Sequence, residues 1–187
     1  ITGASSGIFT GLPVGNYTFN ITDVNSCGTT SASITISEPA LMAATLAVTP
    51  LPGLNGRHVS CAGASDGVIT VTVTVPGTGA STFTIDQIPG NASGRFSGVF
   101  TGIPPGSYTV TLRDANNCTI VTNSVTVDPT PPIIANAVVT KNVNCFAEAN
   151  GVITVTASGG TGSLEYLLIQ DASNLTGAAS GVFTGLR

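Results

Sequence analysis

The chain has 187 residues, of which 42% are hydrophobic and only 7% charged, with a formal net charge of −4. Five Lys and Arg residues, none clustered, exclude a basic nucleic-acid footprint. Apolar residues are plentiful and alternate regularly, which excludes a disordered polymer, yet no run approaches the ~18 residues of a membrane span.

Taken in chain order, the apolar pattern predicts strands and no convincing helix. Leu41–Val48 opens the first clear block. Val68 to Val75 reads Val-Ile-Thr-Val-Thr-Val-Thr-Val, so from Ile69 onward apolar side chains fall on odd positions and Thr on even ones. That period of two, in β-branched residues, suits a pleated surface with one face in a core and one in solvent. Thr82–Ile85 and Tyr108–Leu112 repeat the alternation, and Ile120–Val127 is a less regular strand. Ile133–Val139 repeats the role of Leu41–Val48. Pro104-Pro105-Gly106 and Asp114-Ala115-Asn116-Asn117 read as turns on either side of the Tyr108 strand. Pro129, Pro131 and Pro132 read as a short stiff linker, which favours a rod over beads on a flexible string.

The chain also repeats itself. Gly7-Ile8-Phe9-Thr10-Gly11-Leu12 returns as Gly98-Val99-Phe100-Thr101-Gly102-Ile103 and as Gly181-Val182-Phe183-Thr184-Gly185-Leu186. The spacing is 91 residues from Phe9 to Phe100 and 83 from Phe100 to Phe183. Cys61 and the Gly67–Thr72 strand likewise return at Cys145 and Gly151–Thr156. A period this long is a whole small domain rather than a solenoid unit. Seven or so short strands per repeat, with turns every ten residues or so, is a sandwich pattern. The expected architecture is therefore all-β, with tandem immunoglobulin-like β-sandwiches. Residues 1–39 read as the C-terminal part of one repeat, 40–128 as a complete repeat and 129–187 as the N-terminal part of a third. The chain reads as an excerpt of a longer protein.

Three phrases carry a resemblance. They are Cys61 with Asp66-Gly67-Val68-Ile69-Thr70-Val71, then Thr101-Gly102-Ile103-Pro104-Pro105-Gly106-Ser107-Tyr108-Thr109-Val110, then Asp114-Ala115-Asn116-Asn117-Cys118-Thr119. Together they resemble the SprB-type repeat of large surface adhesins from gliding Bacteroidota-type bacteria, and more loosely polycystic-kidney-disease-type and other bacterial immunoglobulin-like modules. The sequence departs from that pattern at the extra residues Leu51–Arg57 and at Pro76-Gly77-Thr78-Gly79. The resemblance implies secretion, through a type IX system, and extracellular display at the cell surface. It implies no enzyme chemistry; no cofactor is expected beyond weak calcium candidates.

The candidate sites are few. The four cysteines fall two per repeat, and a Cys61–Cys118 disulfide is the leading pairing, with Cys27 and Cys145 pairing outside the chain. The rival joins Cys27 to Cys61 and Cys118 to Cys145 across repeat borders, and free buried thiols are a third option. Asp114-x-Asn116 and Asp23-x-Asn25 have the start of a calcium loop but lack its later Gly and Glu, so they read first as turns. Asp66, Asp114 and Asn116 are the weak calcium candidates. The only His, His58, reads as an exposed loop residue. Tyr108 lies ten residues before Cys118, whereas an immunoglobulin tyrosine corner lies about two before its Cys, so it reads as a core or corner aromatic and not as that motif. No Gly-x-Ser-x-Gly elbow or phosphate loop appears, and no enzyme activity is expected. The functional expectation is a structural stalk segment of a repetitive surface adhesin or filament, serving adhesion and gliding. Its partners would be adjacent repeats, neighbouring copies laterally, and a surface or polysaccharide met by another part of the protein. The alternatives are a polysaccharide-binding module, acting through loops such as Leu51–Arg57 or Gln87–Arg95, and a filament subunit assembled by strand complementation.

Overall fold

The computed structural model describes residues 6–54 and 56–187. Among them the regular structure is strand, apart from one 3-10 turn at Ile169–Asp171, so the fold is all-β as expected. The chain divides into two compact units, Ile1–Leu41 and Met42–Arg187. In the first unit β1 (Gly15–Tyr17) and β2 (Asn20–Thr22) are followed by β3 (Gly28–Thr30) and β4 (Ile34–Ile36). β1 pairs with β4 and β2 with β3, both antiparallel.

The second unit opens with the central repeat. Its strands are β5 (Ala43–Thr49), β6 (Gly67–Val75), β7 (Thr82–Ile85), β8 (Val99–Ile103), β9 (Gly106–Tyr108), β10 (Val110–Arg113), β11 (Thr119–Val121) and β12 (Val125–Val127). One sheet runs β5-β6-β8, a second β11-β10-β7, and β12 pairs with β9. All the pairings are antiparallel. Leu46, Ile69, Val71, Phe100 and Ile103 from the first sheet join Phe83, Ile85, Val110 and Leu112 from the second in one core. Tyr108 and Val127 complete it from the small sheet. The odd-numbered residues Ile69 and Val71 are buried and Thr72 and Thr74 exposed, as the alternation requires.

Two expected strands are each broken in two, and the breaks have a cause. The Tyr108–Leu112 run changes sheets at Thr109, whose carbonyl accepts from Asp86 N at 3.0 Å while its amide donates to Gln87 Oε1 at 3.0 Å. Residues before Thr109 pair with β12, and those after it pair with β7 and β11. The Ile120–Val127 run breaks at Thr122–Ser124. There the Thr122 hydroxyl accepts from Val110 N at 3.0 Å, and Asn123 bonds both the amide and the carbonyl of Leu46 in β5, at 2.8 and 3.1 Å. The Gln87, Thr122 and Asn123 side chains, with the Asp86 amide, replace ladder bonds at the two breaks, so the backbone stays satisfied while the strand turns a corner.

The phrase found three times marks a β-bulge. Phe100 and Ile103 are three residues apart, so a regular strand would send them to opposite faces. Both are fully buried. The register explains it: Ile69 faces Phe100, but Gly67 faces Ile103, so β8 carries one extra residue. Gly102 takes up that residue with φ +72°, a left-handed conformation suited to glycine. Gly94 lets the ring in, because a Cβ there would lie 2.6 Å from Phe100 ring atoms.

The third repeat supplies β13 (Ile134–Lys141), β14 (Gly151–Ser158) and β15 (Val182–Leu186), in the order β13-β14-β15. It reproduces the first sheet of the central repeat, down to the bulge between Phe183 and Leu186 opposite Gly151 and Ile153. Burial differs. Val139, which faces Ile153 as Val48 faces Ile69, is 61% exposed, because among the described residues of this repeat no second sheet covers that face. Alternation selects which face is apolar, and only a second sheet hides that face from water.

Candidate functional site: the joint between successive repeats

The joint between the central and third repeats concentrates the bonding that the linker prolines suggested. Val127 ends the central repeat and is fully buried. Three residues on, the Thr130 side chain turns inward at 2% exposure and its hydroxyl donates to the Val59 carbonyl at 2.6 Å. The next carbonyl, that of Pro131, accepts from Gly160 N at 3.0 Å. The linker is thus tied to the repeat before it and to the β13–β14 sheet after it at adjacent residues. Proline removes φ freedom from what remains. Thr161 reaches back with a long 3.4 Å bond from its hydroxyl to the Ser60 carbonyl.

The Leu51–Arg57 insertion lies at this joint. Its ends are closed by Leu51 N to Arg57 O at 2.9 Å. Leu54, Gly56 and Arg57 share a 270 Å³ crevice with Asp128 and with Gly160–Gly162 of the third repeat. Beside it, His58 is only 17% exposed rather than free in a loop. Its Nδ1 accepts from Asp128 N at 2.9 Å and lies 3.4 Å from the Asp128 carboxylate. The sequence placed His58 in solvent because nothing local signals a partner seventy residues away.

The cysteines are not brought together. Cys61 sits in the loop before β6, where Ala64 N donates to its carbonyl at 3.1 Å. Cys118 sits in the hairpin of Asp114, and Asp114 Oδ2 accepts from Thr78 N, beyond the other end of β6. Nine residues of strand separate those ends, about 26 Å at the usual rise, whereas a disulfide needs Cα atoms within roughly 7 Å. The expected Cys61–Cys118 bridge is therefore not formed. All four cysteines are exposed rather than buried, and none is bonded to another within the chain. The rival Cys118–Cys145 staple fails for a related reason. Cys118 lies at the end of the central repeat remote from Ser60 and Thr161.

The same separation parts the calcium candidates. Asp66 Oδ1 accepts from Ser60 N at 3.0 Å, and the Ser60 hydroxyl and amide hold its carboxyl below the usual range. Asp114 is at the far end of β6, with Oδ1 accepting from Asn116 N and Cys118 N, each at 2.9 Å. The Thr78 amide foremost, then those of Cys118 and Asn116, hold the Asp114 carboxyl low against the opposing effect of its burial. Both Asp114 oxygens are occupied in shaping a turn, with Asn117 at φ +68°. Among the described residues no group of three His, Cys, Asp or Glu side chains is placed to hold a metal ion.

Tyr108 is both a core and a corner aromatic. Its hydroxyl donates to the Pro104 carbonyl at 2.8 Å, four residues upstream, and burial pushes its pKa up. Tyr17 makes the same bond to Pro13 at 2.6 Å. That backward bond is the geometry of a tyrosine corner, here without the immunoglobulin cysteine spacing. The Pro-x-Gly-x-Tyr spacing, shared by Pro13 and Pro104, is the sequence signal for it.

Comparison with known families bears on these repeats. Residues 137–173 match the SprB repeat. The matched segment starts in β13 and takes in Cys145, all of β14 and the Gly159–Gly162 turn that meets the central repeat. The Cys145–Thr156 phrase inside it is the counterpart of Cys61–Thr72, which carries the likeness into the central repeat. SprB repeats belong to surface-associated adhesin proteins and form a structural rather than an enzymatic family. No curated protein and no solved structure matches the chain.

Proposed function

We propose that this chain is a stalk segment of a repetitive, extracellular cell-surface adhesin, in which SprB-type sandwiches are joined end to end by braced linkers. The observation that carries the reading is the joint: Thr130 bonded to Val59 and Pro131 bonded to Gly160 leave no slack between one repeat and the next. A chain built to hold a binding tip away from the cell needs resistance to bending at its joints more than a pocket. Export by a type IX system and service in gliding belong to the same proposal and are supported by the repeat family alone.

The reading is tested by immuno-electron microscopy of intact cells that make the protein, with antibody raised to the central repeat. Gold particles spaced along filaments leaving the surface are the expected result. Label confined to the envelope, or found only in the medium, overturns it. Single-molecule pulling adds a mechanical check. The 84 residues from Cys61 to Cys145 set the period, so each repeat should release about 30 nm of contour in one event. Smooth extension without discrete events would refute a load-bearing role.

A further inference from the structure

A groove of 580 Å³ lies on the outer face of the β11-β10-β7 sheet of the central repeat. Its floor follows from the strand register. Thr82 and Thr119 flank Arg113, and Thr84 faces Thr111, all on the side opposite the buried Phe83, Ile85, Val110 and Leu112. The loop from Gln87 to Arg95 forms the wall. It is braced by Phe83 N to Arg95 O at 2.9 Å and by Asn91 Nδ2 to Thr101 O at 2.8 Å.

The charge placement is unusual for this chain. Of its five Lys and Arg residues, two, Arg95 and Arg113, line this one groove. Among the described residues neither lies within 4.0 Å of a carboxylate. The one acid that lines the groove, Asp86, has each carboxylate oxygen engaged, accepting from the Thr109 and Thr111 hydroxyls at 2.6 and 2.7 Å. Arg95 packs over Phe96 at 5.5 Å, which steadies the guanidinium at the rim. Neither arginine belongs to the scaffold. Arg95 aligns with Ala4 and Ala178 in the flanking repeats, and Arg113 with Thr22.

We infer that this groove binds an extended carboxylated polysaccharide, with Arg95 and Arg113 each taking a sugar carboxylate and the Thr hydroxyls and Asn91 meeting sugar hydroxyls. A planar guanidinium matches a carboxylate through two parallel N–H bonds. Rows of short hydroxyls suit a hydroxylated chain lying along a sheet. Phe83 turns its ring to the core at 8% exposure and the exposed Phe96 ring lies under the Arg95 guanidinium, so the floor itself offers no open ring for stacking a neutral sugar. The net charge of −4 opposes indiscriminate attraction of polyanions, so any binding must be local to the groove. This site goes beyond the stalk proposal and stands or falls separately: a stalk repeat needs no groove, and a binding repeat need not sit in a filament.

The test is affinity electrophoresis of the chain in gels containing sodium polygalacturonate, dextran sulfate or neutral dextran, with amide chemical shifts followed on adding digalacturonate. The expected result is retardation by polygalacturonate with shifts centred on Thr84 and Thr111. Arg95→Ala and Arg113→Ala should each weaken binding about tenfold or more, the usual effect of losing a charged hydrogen bond. Lys141→Ala, which makes the same charge change outside the groove, should leave binding unchanged. Equal loss in Lys141→Ala, or no retardation of the parent chain, overturns the site. Equal retardation by dextran sulfate overturns the carboxylate assignment, and equal retardation by neutral dextran overturns an anionic ligand. Both arginines are exposed, and unchanged shifts at Ile69 and Leu112 would confirm that each variant is folded.

Discussion

Gly102 is the residue through which the repeated phrase can be tested. Its φ is +72°, and a Cβ there would meet nothing nearer than the Ser65 carbonyl at 3.8 Å. Gly102→Ala therefore adds no collision, only the strain of a left-handed alanine, about 1–2 kcal/mol. The lower entropy of the unfolded chain offsets about 0.4–1 kcal/mol of it. The net loss should be about 1 kcal/mol. Deleting Gly102 is a different perturbation. It removes the bulge, and either Phe100 or Ile103, both fully buried, must turn to solvent. Losing the burial of one such side chain costs about 1.5–3 kcal/mol before any cavity is counted. Native-state hydrogen exchange at Val71 is a suitable assay, since its amide donates to Gly98 O at 2.8 Å in the core of the central repeat. Each 1.4 kcal/mol appears as about tenfold faster exchange when opening is global. Gly102→Ala should accelerate Val71 severalfold, the deletion by at least a further order of magnitude, and Gly102→Asn less than Ala, because Asn tolerates this conformation. A deletion no worse than the alanine substitution would refute the bulge as the reason for the phrase.

Three further outcomes follow from the central repeat. Tyr108→Phe removes the bond to Pro104 and should cost about 1 kcal/mol in thermal or denaturant unfolding. Because burial raises the Tyr108 pKa, its neutral form is the one favoured by folding. The parent should therefore lose stability as pH rises past the ordinary tyrosine range while the Phe variant loses less. Asp114→Asn should be less stable than the parent at neutral pH. The folded pKa of Asp114 lies below its unfolded value, so its contribution is present above the unfolded pKa of 3.8 and lost as pH falls through the folded one. Acid titration of stability should show the two curves converging at low pH, and parallel curves would refute the role given to its three backbone bonds. Thr130→Val strands the buried Val59 carbonyl and should cost about 1–3 kcal/mol. Relaxation measurements should then show the third repeat reorienting more freely relative to the central one; unchanged coupled tumbling would remove Thr130 from the joint.

Much of this architecture was legible in the sequence because its determinants are local and periodic. Alternation from Ile69 to Val75 selects a buried face, and Asp114 to Asn117 spells a turn. The phrase around Phe9, Phe100 and Phe183 announces the repeat, since strand pleat and turn chemistry act over a few residues. What tertiary structure decided was everything that depends on which end of a strand a residue occupies. Cys61 and Cys118 read as a pair by count, and Asp66 and Asp114 as a pooled site by type, yet the length of β6 holds each couple apart. The Tyr108 strand reads as continuous, but Thr109 hands it from one sheet to another because Asp86 and Gln87 take its ladder bonds. His58 reads as a loop residue until the chain returns at Asp128. Arg95 and Arg113 are eighteen residues apart in sequence and meet on one groove because the sheet and its covering loop fold together. Sequence encodes the face a side chain presents; contacts between distant segments arise only when the sheets close over a shared core.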